Sequence, residues 1–531
     1  MKRLSTCTIL SIAVGLLAAG PAAFAAGVDE AIYGQNGKPL LDAATAAGSG
    51  YYYELNGTVG EASFRHPAGV AVLSDGTVLV SDSGNHRIRG VANGEVGVYA
   101  GTELVLLRDD AGNPLGALAD GLKENSFFNN PRGLDVDAAG NIYVADSGNH
   151  AVRRIGANGE VATVAGNGVL GSADGVGTEA SFYAPGDVAV AEDGSLYVAD
   201  TLNHTIRKID PEGNVTTLSG TPERAVEIFP GSVVEAGDYR DGALSQALFN
   251  EPGSLVFDEN GNLYVSDTGN QRIRYIDLAA GTVTTVAGGS VLEGGALYAE
   301  GSLYADGGFV DGSGADARFY SPRGLAVDAQ GGLLIADSMN HVVRYFKDGV
   351  VTTIAGSTSA EYGYSNGSED QARFDFPADV ALAPNGDIVV ADLYNNRIRT
   401  LSYYTLPDGW SANGTIQVLL NNERISLDAQ PEIRNGRTMV PVRAIAEALG
   451  YEVAFDGTSI VLAGEGQTIG LIVGEMQVER TIGGTATERE IDAAPYIEES
   501  RTYVPIRFFA EEIGLDVEWH APTTTVVLRG Q

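Results

Sequence analysis

The feature that most constrains the fold is a short motif that occurs six times: Asp, two variable residues, Asn, two variable residues, Ile or Val, and Arg. Its aspartates are Asp82, Asp146, Asp200, Asp267, Asp337 and Asp392, and its arginines are Arg89, Arg153, Arg207, Arg274, Arg344 and Arg399. Two short β-rich runs joined by a Gly-containing turn precede each copy, and a further strand follows most copies. Each repeat therefore predicts a four-stranded antiparallel meander, whose strands we name a to d in chain order.

Every predicted strand a is preceded by Phe, two residues and Pro. These pairs are Phe64/Pro67, Phe128/Pro131, Phe182/Pro185, Phe249/Pro252, Phe319/Pro322 and Phe374/Pro377. A single meander cannot bury both of its faces, whereas sheets packed radially around an axis bury them against each other. Six repeats therefore predict a mainly β fold, with a six-bladed β-propeller over residues 56–404.

An Asn-His pair occurs in four copies of the motif. The pairs are Asn85-His86, Asn149-His150, Asn203-His204 and Asn340-His341, and Gln271 and Asn396 stand in the His position of copies four and six. These residues resemble the NHL repeat family over about 56–404, and the resemblance implies an NHL-type propeller.

The sixth repeat lacks a convincing strand d, because the sequence after Arg399 matches the pattern poorly. A propeller must close, so another segment has to pair with the last blade. We expect part of residues 38–53, within a leader over 26–55, to supply the outer strand of blade six.

The repeated Asp and Arg are interpreted as structural. Asp accepts backbone amides in tight turns, and a nearby Arg neutralises it. The motif histidines occupy one turn position in four separate blades, so they cannot converge on one metal ion. We therefore predict no metal site from them.

The composition limits the cellular setting and the partners. With 33 Lys and Arg against 69 Asp and Glu, the formal charge is −36, which opposes nucleic-acid binding. Lys2 and Arg3, an apolar run over 9–19 and the Ala23-Phe24-Ala25 pattern predict a signal peptide over 1–25, with Ala26 as the first mature residue. We expect a secreted or cell-surface protein with no later membrane span.

An enzyme of the propeller type is the main alternative to a binding protein. Among NHL-type propellers, the peptidyl-hydroxyglycine amidating lyases have histidines directly after the Pro that opens strand a. The corresponding residues here are Ala68, Arg132, Gly186, Gly253, Arg323 and Ala378, so that zinc site is not carried over. We recognise no catalytic residues and expect no cofactor, although the acidic turns over 136–141 and 257–262 leave room for an adventitious calcium ion.

Two features suggest ligand binding. Arg132 and Arg323 open strand a in blades two and five, which face each other across a six-blade ring, so both guanidinium groups are predicted at the channel entrance to hold an anion. Long d–a connections over 102–122, 221–243 and 290–312 share that face. Their aromatic residues, predicted as a ligand platform, include Phe229, Tyr239, Tyr298, Tyr304 and Phe309.

A second duplication follows a linker over 405–415. RTMVPVR over 437–443 matches RTYVPIR over 501–507, an offset of 64, and each copy predicts strand, helix and strand. Residues 416–531 resemble the copper amine oxidase N-terminal-like domain, a small duplicated α+β stalk module. Its one histidine, His520, excludes a multi-histidine copper site within it. We expect Arg437, Arg443, Arg501 and Arg507 to pair with acidic groups.

The sequence therefore predicts an exported, noncatalytic binding or scaffold protein, which resembles bacterial surface proteins. Its propeller loop face would meet a cell-wall, glycan, peptide or protein ligand, and we expect a monomer. A propeller lyase or hydrolase with an unrecognised channel site and a structural spacer remain the alternatives.

Overall fold

The computed structural model describes residues 31–34, 37–103, 108–289, 296–464 and 466–530, so the predicted signal peptide lies outside the described residues. The chain is mainly β, and the predicted fold class is confirmed. Within the described ranges, no helix is long and apolar enough to cross a bilayer.

Six antiparallel sheets, the blades, follow each other along the chain. In each blade strand a is innermost, and a two-residue strand adds to the outer edge beyond strand d. In the order outer pair, then a to d, blade one comprises Gly57–Thr58, Pro67–Val72, Val78–Asp82, Arg87–Ala92 and Glu95–Ala100; blade two comprises Gly121–Leu122, Pro131–Val136, Ile142–Asp146, Ala151–Ile155 and Glu160–Ala165; and blade three comprises Gly175–Val176, Asp187–Val190, Leu196–Asp200, Thr205–Ile209 and Asn214–Thr217.

The remaining blades have the same order. Blade four comprises Gly242–Ala243, Pro252–Phe257, Leu263–Asp267, Arg272–Asp277 and Thr282–Ala287; blade five comprises Gly312–Ser313, Pro322–Val327, Leu333–Asp337, Val342–Lys347 and Val350–Gly356; and blade six comprises Gly367–Ser368, Pro377–Leu382, Ile388–Asp392, Arg397–Tyr403 and, as strand d, Leu41–Ala47. A separate hairpin, Ala225–Phe229 with Ser232–Glu235, projects from the connection between blades three and four.

Leu41–Ala47 pairs antiparallel with Arg397–Tyr403, so the leader provides the outer strand of the last blade. This strand lies inside the segment 38–53 that was expected to close the propeller. The six strands a contact one another in a complete ring, from blade one through blade six and back to blade one. The ring surrounds a central channel.

The repeated motif builds an identical buried network in each blade. In blade two, Asp146 Oδ1 accepts the backbone N–H of Asn129, and its Oδ2 accepts Nη1 of Arg153 at 2.7 Å and Nδ2 of Asn149 at 2.8 Å. The guanidinium lies 5.1 Å above the ring of Phe128, which is fully buried. All six Asp–Arg pairs are solvent-inaccessible, which explains why the motif tolerates so little change.

A second acidic residue completes the network in four blades. Arg153 Nη2 donates to Asp120 Oδ1 at 2.8 Å, and the equivalent acceptors are Asp174, Asp241 and Asp311, with Asn366 in blade six. Each lies eight residues before the motif Phe and is followed by Gly. This spacing, with Asp or Asn before the Gly, is present in all six repeats and is a sequence signal for the second acceptor.

The motif His position joins neighbouring blades. His86, His150, His204, Gln271, His341 and Asn396 all have positive φ, and each accepts a hydrogen bond from a backbone N–H at the start of the next blade. Gln and Asn replace His because the role requires an acceptor in a left-handed turn. The last of these bonds, from His66 N–H to Asn396 Oδ1 at 3.2 Å, runs from blade one back to blade six.

The described part of the C-terminal domain contains three sheets, two short helices and a 3-10 turn, Ala521–Thr523. The sheets are Glu423–Arg424, Gln417–Leu420, Thr525–Arg529 and Asp516–His520; then Glu432–Arg434, Arg437–Pro441, Arg501–Pro505 and Tyr496–Glu498; then Glu452–Phe455, Ser459–Gly464, Gln467–Ile472, Gln477–Ile482 and Thr485–Glu490. The helices are an α-helix, Val442–Ala448, and a π-helix, Phe509–Ile513. The helices end before Gly450 and Gly514, as the pattern predicts.

Candidate functional site at the channel mouth

The channel mouth is formed where the six strands a begin. A cavity of about 380 Å³ is lined by the first residue after each strand-a Pro, by the second residue in blades two to six, and by residues of the b–c turns. Arg132 and Arg323 occupy the first of these positions, and Asp187 and Asp379 occupy the second. The arginines lie on opposite blades two and five, and the aspartates on opposite blades three and six, so the charges follow an approximate twofold arrangement.

Arg132 and Arg323 converge on this cavity, and both are partly buried. Burial, together with the positive charge of Arg132, lowers the pKa of Arg323 to about 10, although Glu251 opposes both effects. Burial also lowers the pKa of Arg132. Arg323 Nε is buried without a hydrogen-bond partner among the described residues, and its guanidinium lies 5.2 Å from the ring centre of Phe376. The guanidinium groups of Arg132 and Arg323 therefore lie close together, and N–H donors on them are not used by other groups of the described residues.

The rim around the arginines is aromatic and carries one carboxylate. Tyr304 donates its hydroxyl to Glu251 Oε1 at 2.7 Å, and burial followed by this contact raises the pKa of Tyr304 to about 12. The ring of His66 lies 4.8 Å from Tyr52 and 5.5 Å from Tyr394. Burial, helped by the charge of Arg65, lowers the pKa of His66, so its imidazole is neutral at pH 7.

Asp187 and Asp379 form the next layer of the channel. Asp187 accepts the N–H groups of Val188 at 2.8 Å and Leu255 of the next blade at 3.1 Å, and Asp379 accepts those of Val380 and Val70 in the same way. Burial raises the pKa of Asp187 to about 7. Burial and the charge of Asp187 raise that of Asp379 well above its ordinary value.

Glycine on the preceding blade makes room for each carboxylate. A Cβ on Gly133 would lie 1.9 Å from Asp187 Oδ1, and a Cβ on Gly324 would lie 2.2 Å from Asp379 Oδ1. Any larger residue would displace the aspartates. These glycines therefore hold both carboxylates against the backbone, where they join neighbouring blades.

The arrangement suits an anion at the mouth. Two guanidinium groups and one carboxylate leave a local excess of one positive charge, in a chain whose overall charge is −36. The aspartates below accept hydrogen bonds from backbone N–H groups, and burial raises the pKa of both, which disfavours their charged forms. Glu251 is therefore the main carboxylate that acts on the arginines. Guanidinium groups bind carboxylates through paired, charge-assisted hydrogen bonds.

The structure places the other predicted ligand residues differently. Tyr304 joins the rim, but Phe229 lies on the projecting hairpin and is 64% exposed. Three aromatic rings pack on arginines: Tyr239 lies 4.5 Å from Arg272, Tyr298 lies 3.7 Å from Arg224, and Phe309 lies 5.2 Å from Arg344. The predicted residues therefore do not form one platform.

Three residues of the mouth were missed by sequence reasoning. Asp187 and Asp379 replace the Gly or Ser of the other four blades, and Glu251 is the one acidic residue at a position that differs in every blade. Comparison of equivalent positions would have exposed them, because a charged residue at an inward-facing position is costly to bury. Within the described ranges, no three His, Cys, Asp or Glu side chains converge as metal ligands.

Comparison with known proteins agrees with this architecture. Residues 64–90, 128–155, 182–209, 249–274, 319–346 and 374–401 match the NHL repeat, and residues 418–528 match the copper amine oxidase N-terminal domain.

Among curated proteins, the chain is 29% identical over 407 residues to human NHL repeat-containing protein 2, covering 71% of this chain and 53% of that protein. It is 31% identical over 290 residues to the protein SUPPRESSOR OF QUENCHING 1, chloroplastic, of Arabidopsis thaliana, covering 53% of this chain and 26% of that one. The chain thus spans about half or less of the length of these relatives.

Among solved structures, an auxiliary nutrient binding protein from Bacteroides thetaiotaomicron aligns with a TM-score of 0.47 at 15% identity, over 69% of this chain and 77% of that one. The six repeats, the closed ring of sheets and the two matched families together identify the chain as an NHL-repeat β-propeller protein that carries a copper amine oxidase N-terminal domain.

Proposed function

We propose that this is an exported, noncatalytic binding protein whose channel mouth holds a carboxylate of an extracellular ligand, such as a wall component, glycan, peptide or protein. The observation that carries the proposal is the convergence of Arg132 and Arg323 on one cavity, without hydrogen-bond partners among the described residues. Burying two like charges together is unfavourable unless an anion compensates them.

Succinate and its neutral diamide provide the test, because only the first carries carboxylates. We expect succinate to bind the full chain in calorimetry and the diamide not to bind. The Arg132→Ala/Arg323→Ala variant should bind succinate at least tenfold more weakly, since a hydrogen bond to a charged group contributes about 1.5–3 kcal/mol.

The matched control removes two exposed arginines outside the cavity, Arg154→Ala/Arg318→Ala. It has the same change in net charge and should retain succinate affinity. An equal loss of succinate affinity in both double variants would show that binding depends on the overall charge and not on this site. Unchanged affinity in the channel variant would also refute the proposal.

Export has its own test. If the segment 1–25 is a signal peptide, sequencing of protein recovered outside the membrane should begin at Ala26. Recovery only inside the cell, with Met1 retained, would refute this part of the proposal.

One observation favours the enzyme alternative. A carboxyl group that retains its proton near pH 7, as Asp187 does, can act as a general acid. In that case Asp187→Asn would abolish turnover of a channel substrate but leave succinate binding intact. Turnover unaffected by this change would remove the alternative.

A further inference from the structure

The two copies of the C-terminal duplication pair with each other around a local twofold axis. Arg437–Pro441 and Arg501–Pro505 run antiparallel, and Val440 lies opposite Val504, its counterpart at the offset of 64. Met439 opposite Pro505 and Pro441 opposite Tyr503 are symmetric about that pair. The two sequence copies are therefore related by this twofold axis, and each has a surface equivalent to that of the other.

Each copy contributes to two equivalent pockets. One cavity of about 370 Å³ is lined by Arg437 and Asp492 on one side and by Arg507 and Trp519 on the other. The second, of about 270 Å³, is lined by their counterparts at the offset of 64: Arg501, Asp428, Arg443 and Phe455. We call these the Trp519 pocket and the Phe455 pocket.

An ion pair forms one wall of each pocket. In the Trp519 pocket, Arg437 Nε donates to Asp492 Oδ2 at 2.9 Å, and Arg501 pairs with Asp428 in the other. In the Trp519 pocket, Asp492 Oδ1 is buried and has no hydrogen-bond partner among the described residues, whereas neither oxygen of Asp428 is buried and unpartnered in this way.

The opposite walls also differ. In the Phe455 pocket, Arg443 Nη1 lies 3.6 Å from Glu447 one helical turn away. Arg507 is exposed, and no acidic side chain within the described ranges pairs with it, so the expectation that all four repeated arginines are paired is wrong for this residue. The π-helix that follows Arg507 differs from the regular α-helix after Arg443, so the two copies are not equivalent at this point.

We infer that the Trp519 pocket binds an acidic sugar, a pyranose ring that carries a carboxylate. The Arg507 guanidinium receives the carboxylate, Asp492 Oδ1 accepts a hydrogen bond from a hydroxyl or amide of the sugar, and the indole face of Trp519 covers the apolar C–H face of the ring. The cavity volume lies within the range of small-molecule sites. The Phe455 pocket, whose arginine and carboxylate are both engaged, does not bind this ligand.

Trp519 provides the readout. The chain has two tryptophans, so Trp410→Phe leaves Trp519 as the only indole. In that full-length background, N-acetylmuramic acid should quench or shift the fluorescence with saturation. N-acetylglucosamine, which has the same ring and acetamido group but lacks the lactyl carboxylate, should bind at least tenfold more weakly. Equal binding of the two sugars, or saturation by neither sugar, would overturn the inference. This test needs no substitution in the pocket itself.

Arg507→Gln and Arg443→Gln form a matched pair of variants, since both are exposed and occupy equivalent positions. We expect the first to raise the dissociation constant for N-acetylmuramic acid at least tenfold and the second to change it less than twofold. Equal effects would overturn the inference. The channel variant Arg132→Ala/Arg323→Ala should leave this binding unchanged, so failure at one site is distinguishable from failure at the other.

Discussion

Arg529 in the C-terminal domain donates through Nη1 to Oε2 of Glu369 in blade six at 2.7 Å. Both side chains are almost completely buried, and the backbone N–H of Leu41 donates to the same oxygen at 3.1 Å. The closing strand, the last blade and the C-terminal domain therefore meet at one carboxylate. Ile32 and Tyr404 pack against Leu419 and Val527 beside it, which continues the contact as an apolar cluster.

Glu369→Gln is expected to uncouple the two domains. Removing one partner of a buried ion pair costs about 3–5 kcal/mol when the other charge is left unpaired. Arg529 keeps its ion pair with Asp516, so the loss here should lie below that range. Calorimetry should show a lower melting temperature, with the two domains unfolding in separate steps. Glu361→Gln removes one partner of an exposed pair, with Arg373 at 3.9 Å, and should change the free energy of unfolding by about 1 kcal/mol or less. Equal shifts in the two variants would contradict the prediction.

The closing strand predicts opposite outcomes at neighbouring residues. Ala43 is buried between blades five and six, whereas Ala44 is exposed. Ala43→Asp places an unpaired charge in the core and should destabilise the propeller by about 3 kcal/mol or more, while Ala44→Asp should change its stability by about 0.5 kcal/mol or less. Urea unfolding measures both. Similar midpoints for the two variants would mean that this strand does not close the ring.

The motif His position predicts which substitutions are tolerated. His204 has φ +56°, and its Nδ1 accepts the N–H of Glu251 at the channel rim at 3.0 Å. Burial lowers the pKa of His204 to about 4, so the ring is a neutral acceptor at pH 7.

His204→Asn should preserve stability, because Asn adopts positive φ and accepts at the same place, as Asn396 does. His204→Val should cost about 2–4 kcal/mol, from left-handed strain and the lost acceptor. Urea unfolding gives the free energy of unfolding of both variants. A Val variant more stable than the Asn variant would contradict the prediction.

Asp187 predicts how stability depends on pH. Its pKa is about 7 in the folded chain and near 3.8 when unfolded, so the folded state holds the proton over a range in which the unfolded state has lost it. The protonated Asp187 therefore adds to the free energy of unfolding. This added stability is complete below about pH 4, amounts in total to something on the order of 4 kcal/mol, and is lost as the pH rises through 7.

Urea unfolding between pH 5 and 8 should therefore show a shallower loss of stability in Asp187→Asn than in the unchanged protein. Glu192→Gln, at an exposed turn of the same blade, serves as the control and should keep the original slope. An unchanged slope in Asp187→Asn would rule out the titration of this carboxyl.

Much of the fold follows from local pattern. The Asp-x-x-Asn-x-x-Ile-Arg motif, with Phe before each strand a, contains every partner of the buried network within about 34 residues, so its spacing alone predicts the blade. The expectation that Arg132 and Arg323 meet also followed from counting blades, because six equal units place blades two and five opposite each other.

Other features depended on where distant segments meet. Contacts between segments tens or hundreds of residues apart decide three of these features. They are the residues of 38–53 that form the closing strand, the stacking of Tyr298 on Arg224, and the effect of Asp187 on the pKa of Asp379. The free guanidinium of Arg507 is of the same kind. Arg443 and Arg507 are each followed by a glutamate four residues later, but only Arg443 lies in a regular α-helix that places this glutamate beside it.

The residue pattern alone specifies a six-bladed NHL propeller with a duplicated C-terminal domain, because repeat fidelity and strand periodicity are local properties that radial packing turns into one architecture. Which charges remain unpaired at the channel mouth and in the Trp519 pocket follows instead from the folded arrangement of the chain. Whether a charge finds a partner depends on distances between segments far apart in the chain, and no local pattern records those distances.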